Sequence, residues 1–209
     1  MTTQEIKEYY DISADRDTRA ELVEAVALVK ERDTELNATP KIAIDCGCGA
    51  GAGMAYLRNQ GFVVHGFDLE AESITRCSAR FKDDLDVHLS QASFNSFTYP
   101  PAALITAHAS LFFCPATEFD EVWDKITTSL IPGGIFSGGF LGPKDTMAGP
   151  DYDKYAYWPN VMTLTEVQVK LMFAAFDIIN WTEHDFLGER IGSPHHWHIF
   201  SVIARRHPA

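Results

Sequence analysis

A glycine-rich stretch, AIDCGCGAGAG at residues 43–53, has the residue types to hold a ligand against bare backbone. Four glycines alternate with other residues after an aspartate, in the order Asp45, Gly47, Gly49, Gly51 and Gly53. Without Cβ atoms a ligand can touch the main chain, and a following helix offers unpaired N–H groups to a carboxylate or phosphate. A tight strand-to-helix turn is the simpler explanation, but such a turn rarely needs four glycines. The stretch therefore predicts a cofactor-binding loop.

Asp68 is a second candidate binding residue. It ends the apolar run FVVHGFD, 21 residues after Gly47, where a carboxylate typically accepts hydrogen bonds from the ribose of an adenosine-bearing ligand. Asp45 disfavours a nicotinamide dinucleotide because its charge would repel a pyrophosphate, and Ala52 meets that fingerprint only in its weaker form. The same charge suits a ligand with an ammonium and a sulfonium group. S-adenosylmethionine carries both.

Strands and helices alternate around these residues. Apolar runs predict strands at KIAIDC, FVVHGFD, DVHLS, AALITAH and GIFSGGF, and helical spacing predicts intervening helices such as AGMAYLRNQ and AESITRCSARF. This alternation is typical of a parallel sheet covered by helices. A last helix is predicted from Thr165, capped by Thr163 with Glu166. After it, FDIINWTEHD and HHWHIFSVIARR predict an antiparallel hairpin joined by the loop FLGERIGSP.

Length and charge limit the partners. The 209 residues can bury one good core, and the net charge of -12 would on average repel nucleic acid or an anionic membrane surface. The N-terminus lacks a targeting pattern, and no apolar run approaches the ~20 residues of a bilayer span. We expect a soluble, cytoplasmic protein with a small-molecule substrate. The spacing of the four cysteines matches no disulfide framework or zinc site, so no metal is expected.

The two binding motifs carry a family resemblance. AIDCGCGAGAG and VVHGFDLEAESI together resemble the first two motifs of class I S-adenosylmethionine-dependent methyltransferases. PAALITAHASLFFCP, FDEVWDKITTSLIPGGIFSGGFLG and HHWHIFSVIARR are similar to the tellurite-resistance-type small-molecule branch. The resemblance implies one Rossmann-like α/β domain over residues 1–209, with a seven-stranded, mostly parallel sheet in the order 3-2-1-4-5-7-6, strand 7 antiparallel and helices on both faces. Residues 1–40 would form an N-terminal helical cover, and residues 142–160 a substrate lid loop.

The resemblance also implies a set of cofactor-binding residues. They are Tyr10, Asp45, Gly47, Cys48, Gly49, Gly51, Asp68, Leu69, Ser93, Phe94 and Ala109. Leu69 would pack on the adenine. The pair Ser93-Phe94 stands where the family often has an acid before an apolar residue, which predicts a weaker adenine contact of about 1 rather than 2 kcal/mol. Tyr10, or its neighbour Tyr9, resembles the aromatic residue that closes over the cofactor; plain packing is the alternative.

His108 is the candidate general base, because it ends the predicted fourth strand beside the first. A base contributes ~10²–10⁴-fold if the acceptor is a hydroxyl or protonated amine, and much less for a thiolate or chalcogen oxyanion. A histidine hydrogen-bonded into the sheet edge is the competing interpretation. The candidate substrate-binding residues are Phe112, Tyr155, Trp158 and His196. The aromatic residues of the predicted lid loop, which include Tyr155 and Trp158, could surround an acceptor or could simply anchor a long loop.

The resulting hypothesis is a methyltransferase that moves a methyl group from S-adenosylmethionine to a small-molecule acceptor by in-line displacement. Two alternatives stay open. One is a protein that binds S-adenosylmethionine without turning it over, and the less favoured one is an NAD-dependent oxidoreductase. The sequence identifies neither the acceptor nor the oligomeric state.

Overall fold

Strand and helix alternate along the chain. The computed structural model describes residues 3–31, 41–152, 159–190 and 193–208. Its helices are α1 (Thr3–Ala14), α2 (Ala20–Glu31), α3 (Ala52–Asn59), α4 (Ala71–Arg80), α5 (Phe119–Ser129) and α6 (Glu166–Met172), with short 3-10 turns at Leu111–Phe113 and Thr146–Ala148. Its strands are β1 (Ile42–Cys46), β2 (Val63–Asp68), β3 (Val87–Gln91), β4 (Ala102–Ala107), β5 (Leu130–Leu141), β6 (Phe176–Arg190) and β7 (Ser193–Arg206).

The strands form one seven-stranded sheet in the order β3-β2-β1-β4-β5-β7-β6. The first five are parallel, and β7 pairs antiparallel with both β5 and β6. This confirms the predicted Rossmann-like fold, including the antiparallel seventh strand. Parallel strands end at one edge of the sheet, so the glycine loop after β1, Asp68 at the end of β2 and His108 after β4 meet at the carboxyl edge.

Apolar side chains cover both faces of the sheet. On one face α5 and α6 pack on β4 and β5, with Trp123, Phe136 and Phe173 in the buried cluster. On the other face α2 packs on β4 and β5 and α3 packs on β1 and β2, and α2 contributes a stripe of Leu22, Ala25, Val26 and Val29. This second face also carries the polar residues of the candidate site, so α2 covers both core and site.

The cap of α6 differs from the prediction. Thr165, not Thr163, is the N-cap, since its hydroxyl accepts from the Gln168 N–H while the Gln168 side chain accepts from the Thr165 N–H. Both threonines have a suitable residue three positions later, so the sequence pattern is ambiguous. The Leu164 N–H donates to the Leu141 carbonyl, which keeps the chain in an extended contact with β5 until Thr165.

The hairpin of β6 and β7 extends beyond the rest of the sheet. Pairing between β5 and β7 ends at Leu141 opposite Ile199, whereas β6 and β7 continue pairing to Arg190 opposite Ser193. The predicted loop FLGERIGSP is therefore largely strand. None of the helices in the described part of the chain is long and apolar enough to span a membrane.

Candidate functional site

The glycine loop turns tightly between β1 and α3. The N–H groups of Gly47 and Cys48 both donate to the Phe67 carbonyl, which ties the loop to the end of β2. Gly47 has φ +73°, and a Cβ there would lie 2.5 Å from the Cβ of Ser110. This position therefore requires glycine for both its conformation and its close approach to the turn after β4.

Asp68 is bound to the same loop. Its Oδ2 accepts from the Gly49 N–H at 2.9 Å, and its Oδ1 accepts from the Glu70 N–H at 3.0 Å. Each carboxylate oxygen can accept a further hydrogen bond, so Asp68 can bind a ligand hydroxyl while it orders the loop. Leu69, which follows it, is 66% exposed and free to pack on a planar group.

Ser93 and Phe94 lie beyond β3, near this end of the site. The Ser93 hydroxyl is within hydrogen-bonding distance of the Ser96 hydroxyl at 3.1 Å, and Phe94 packs edge-on against Phe67. Ser93 is thus occupied in a local turn and Phe94 contributes to the core. The Ser93 hydroxyl donates to the Ser96 hydroxyl and accepts from the Ser96 N–H, which leaves one lone pair for the predicted adenine contact.

Asp45 is a buried carboxylate without a hydrogen-bond partner among the described residues. It is 9% exposed, and burial, followed by the charge of Asp68, raises its pKa from the ordinary value of 3.8 to about 7, against the charge of Arg19. Thr106 pairs with it in register on β4, and the Thr106 Oγ1 is buried without a partner in the described part of the chain. Orphaned polar groups of this kind fit a ligand that brings a positively charged hydrogen-bond donor.

Tyr10 brings α1 over the glycine loop. It is 4% exposed, and a Cβ at Gly49 would lie 3.8 Å from its ring. Burial, together with the negative charge of Asp68, raises its pKa. The Arg76 guanidinium, which bonds to Asp11 at 2.6 Å, fastens α1 to α4. Tyr10 thus lies over the glycine loop, and its role as the closing aromatic residue stays a prediction.

His108 lies at the turn after β4. Its Nε2 is 3.0 Å from the hydroxyl of Ser137 on β5. Burial, and next the charge of Arg19, lower its pKa to about 3, so the imidazole is neutral at physiological pH. The next residue, Ala109, has φ +56°, an uncommon conformation for a non-glycine residue and one that often marks a functional turn.

Arg19 is a site residue that the sequence did not reveal. It immediately precedes α2, and its carbonyl accepts from the N–H groups of Leu22 and Val23. The residue as a whole is exposed, although partial burial lowers the pKa of its guanidinium. The guanidinium forms no ion pair or side-chain hydrogen bond with any described residue, and its charge acts on both Asp45 and His108. A free guanidinium in such a cleft can bind a carboxylate in bidentate fashion.

The structure describes only some of the predicted substrate-binding residues. Phe112 is buried against Leu141 and Met147 above the sheet edge, and its carbonyl accepts from the Met162 N–H, so it contributes to packing. Tyr155 and Trp158 lie outside the described residues.

His196 does not join His108. Side chains alternate along β7, and His196 lies on the face of Phe200 and Val202, which pack under α5 and α6. Ser137, the partner of His108, lies opposite Ile203 on the other face. His196 instead contacts Asp185, with Nε2 2.7 Å from the carboxylate, and its role as a substrate contact stays a prediction.

The first part of the predicted lid loop is fastened to β7. Asp145 accepts hydrogen bonds from the N–H groups of Met147 and His198 and lies 2.9 Å from the Nε2 of His195. Tyr152 packs with the apolar cluster around Phe112. Residues 142–160 are predicted either to surround an acceptor or to anchor a long loop. The contacts of the segment up to residue 152 are anchoring contacts.

Glu183, Asp185 and His198 are close enough together to be considered as metal ligands. The His198 Nδ1, however, accepts from the Lys144 N–H at 3.1 Å, so Nε2 carries the proton that it donates to Glu183. The Lys144 ammonium lies 2.6 Å from Asp185. The cluster is therefore satisfied as a hydrogen-bonded network, and a metal would have to displace these contacts.

Comparison with known proteins adds a family match. Residues 43–134 match the family model described as a methyltransferase domain. No curated protein sequence matches the chain. The matched segment contains the glycine loop, Asp68 and His108, whereas Tyr10, Arg19 and Ser137 lie outside it.

Solved structures of methyltransferases resemble the whole chain. A 1,6-didemethyltoxoflavin-N1-methyltransferase from Burkholderia thailandensis, bound to its acceptor and S-adenosylhomocysteine, is 17% identical, with coverage of 98% of this chain and 84% of that one and a TM-score of 0.64. TehB from Haemophilus influenzae is 18% identical, with coverage of 85% and 61% and a TM-score of 0.67. The N-methyltransferase NodS from Bradyrhizobium japonicum, bound to S-adenosylhomocysteine, is 15% identical, with coverage of 96% and 98% and a TM-score of 0.61.

These identities show a shared fold and assign no branch. Residues 43–134 match the model of a methyltransferase domain, and the chain as a whole shares the fold of these solved methyltransferase structures.

Proposed function

We propose that this protein is an S-adenosylmethionine-dependent methyltransferase that acts on a small-molecule acceptor by in-line displacement. The observation that carries the proposal is the orphaned pair of Asp45 and Thr106 beside the glycine loop, in a sheet of methyltransferase topology. S-adenosylmethionine is the expected cofactor, and its ammonium and sulfonium charges suit the acidic character of this site.

Different residues of the site would contact different chemical groups of the cofactor. Asp45 and Thr106 would receive the ammonium, Arg19 the carboxylate and Asp68 the ribose hydroxyls, while Leu69 would pack on the adenine. Tyr10 would cover the ligand from α1. When bound, the cofactor supplies a methyl group that the sulfonium has already activated.

The protein would contribute mainly alignment and the exclusion of water. Holding two reactants in the right geometry can supply ~7–11 kcal/mol of the barrier. His108 would then accept a proton from acceptors that must lose one, which adds ~10²–10⁴-fold. Residues 1–209 would act as a single domain, with residues 1–40 as its cover and residues 142–160 bordering the acceptor.

The proposed acceptor class rests on a structural neighbour and on the net charge of the chain. A small-molecule acceptor agrees with the toxoflavin precursor that the Burkholderia enzyme methylates and with the acidic charge of the chain, which disfavours nucleic acid. The tellurite-resistance-type branch is supported by the sequence resemblance alone. A cytoplasmic location belongs to the same proposal.

Two measurements test this function. A thermal-shift series with S-adenosylmethionine, S-adenosylhomocysteine and NAD should show stabilisation by the first two only; stabilisation by NAD alone would favour the oxidoreductase. A screen of small thiols, amines, phenols and chalcogen oxyanions for release of S-adenosylhomocysteine should then show turnover. Binding without turnover on any acceptor would favour the non-catalytic alternative.

A further inference from the structure

The geometry points to Ser137 as a positioning residue that fixes the tautomer of His108, so that the methyl acceptor is a neutral molecule with an N–H or O–H nucleophile. This inference rests on the proposed function, because it takes the acceptor to bind beside His108. The fixed tautomer itself can be tested without any reaction.

Ser137 lies between the imidazole and the first turn of α2. The side chain is fully buried, and its hydroxyl is 3.0 Å from the His108 Nε2 and 3.5 Å from the Glu21 carbonyl. A carbonyl oxygen can only accept, so the arrangement that satisfies both contacts directs the single hydroxyl hydrogen to Glu21. In that arrangement the hydroxyl oxygen accepts from His108, and Nε2 carries the ring proton.

The other ring nitrogen is left as an acceptor. In the described part of the chain, the side-chain N and O atoms that are both inaccessible to solvent and without a partner are Thr106 Oγ1 and Arg205 Nε. The Nδ1 of the half-buried His108 also has no partner there, but it is not one of these inaccessible atoms. An unprotonated Nδ1 at the carboxyl edge can receive a hydrogen bond from a bound acceptor.

The charged groups near His108 further restrict the chemical class of the methyl acceptor. Arg19 is the charged group that acts on His108, and the cofactor adds a sulfonium nearby. The sulfonium disfavours an ammonium acceptor, and an unprotonated Nδ1 selects nucleophiles that still carry a proton, such as neutral azoles, amides, anilines and phenols. A chalcogen oxyanion or a thioether reacts through a lone pair and has no use for a proton acceptor.

The proton transfer balances. The lone pair of the acceptor nitrogen or oxygen forms the bond to the methyl carbon, the electron pair of the broken carbon–sulfur bond stays on sulfur, and the acceptor proton moves to Nδ1 of His108. Positive charge that builds on the attacking atom lowers the pKa of its remaining proton, so a weakly basic imidazole is sufficient. The imidazolium then returns its proton to water.

Long-range proton–nitrogen NMR of isotope-labelled protein, bound to S-adenosylhomocysteine, reads the tautomer directly. His108 is assigned with the His108→Gln variant. We expect the Nε2–H form in the wild type and a mixture of both forms in Ser137→Ala. An Nδ1–H form in the wild type, or an unchanged tautomer in Ser137→Ala, would overturn the inference.

Ser201 offers a matched control. Its hydroxyl lies 3.1 Å from the Nε2 of His184 on the neighbouring hairpin, so it forms an equivalent serine–histidine pair outside the site. Ser201→Ala should alter the His184 resonances and leave those of His108 unchanged. If Ser201→Ala changes the His108 tautomer as much as Ser137→Ala does, then Ser137 has no specific positioning role.

Kinetics test the acceptor class. With a phenol or azole acceptor, Ser137→Ala should lower kcat by about tenfold and change KM by less than about twofold. Turnover of tellurite or a thioether, with none for N–H or O–H acceptors, would refute the acceptor class while leaving the proposed function intact. Failure to bind S-adenosylhomocysteine, with the Nε2–H tautomer present in the free protein, would instead refute the proposed function.

Discussion

Replacing Asp45 by asparagine should stabilise the free protein while it weakens cofactor binding. The substitution keeps the size of the side chain and removes the charge from a buried group that has no hydrogen-bond partner among the described residues. A carboxyl whose pKa rises from 3.8 to about 7 on folding binds its proton more tightly in the folded state. The contribution of the protonated Asp45 to the free energy of unfolding is therefore fully present below about pH 4 and is lost as the pH rises through about 7.

The size of this loss follows from the two pKa values. The difference between 3.8 and about 7 corresponds to about 4 kcal/mol of folding free energy. Part of it remains in the variant, because a buried amide also lacks partners. We expect Asp45→Asn to be more stable than the wild type by about 2 kcal/mol above pH 7 and equally stable near pH 4.

Binding should change in the opposite direction. If the ionised carboxylate is the form that binds the ligand ammonium, wild-type affinity for S-adenosylhomocysteine should rise about fivefold between about pH 6 and pH 7, as the ionised fraction grows from about a tenth to a half. Measurements stay below the range near pH 8 where an α-amino group loses its own proton. Affinity of the variant should be lower and independent of pH over the same range.

Urea denaturation and titration calorimetry measure the two effects. Asp145→Asn is the matched control, because Asp145 is also buried but accepts from the N–H groups of Met147 and His198. An amide there would face these donors, so the control should lose stability at neutral pH, where Asp45→Asn gains it. A destabilised Asp45→Asn, or ligand binding that is equally pH-independent in the wild type, would refute the reasoning.

Three further predictions concern the ligand contacts. Asp68→Ala should weaken S-adenosylhomocysteine binding by about 100-fold or more in calorimetry, because it removes a charged acceptor for the ribose and the anchor of the Gly49 N–H; unchanged affinity would exclude the ribose role. Arg19→Gln should weaken S-adenosylmethionine by about tenfold or more and leave its decarboxylated analogue unaffected, since the analogue lacks the group that Arg19 binds. Gly47→Ala should lose about 3 kcal/mol in thermal denaturation, because alanine would meet Ser110 at 2.5 Å in a left-handed conformation, and a wild-type melting temperature would contradict the loop geometry.

The sheet topology could be predicted because each β-α unit has a recognisable local sequence pattern. Apolar runs and helical stripes alternate from residue 42 onward, and right-handed crossovers restrict how such units assemble. The length of the β6–β7 hairpin could not be predicted in this way. Its outer part, to Arg190 and Ser193, is held by backbone pairing beyond the sheet and so carries polar residues typical of loops.

The motif residues of the site could be predicted, but their neighbours could not. The register of β1, β4 and β5 brings Thr106 and Ser137 beside Asp45, and Arg19 joins them from the segment before α2. Side chains alternate along β7, so His196 and His198 share a face. Which face lies toward His108 depends on the pairing of β7 with β5, and the sequence carries no signal for it.

Calorimetric titration of the folded protein with S-adenosylhomocysteine at neutral pH tests the central claim most directly. The account predicts a single saturable site that Asp68→Ala abolishes and that NAD does not occupy. Absence of binding heat with both S-adenosylhomocysteine and S-adenosylmethionine, in a sample with a cooperative unfolding transition, would contradict it.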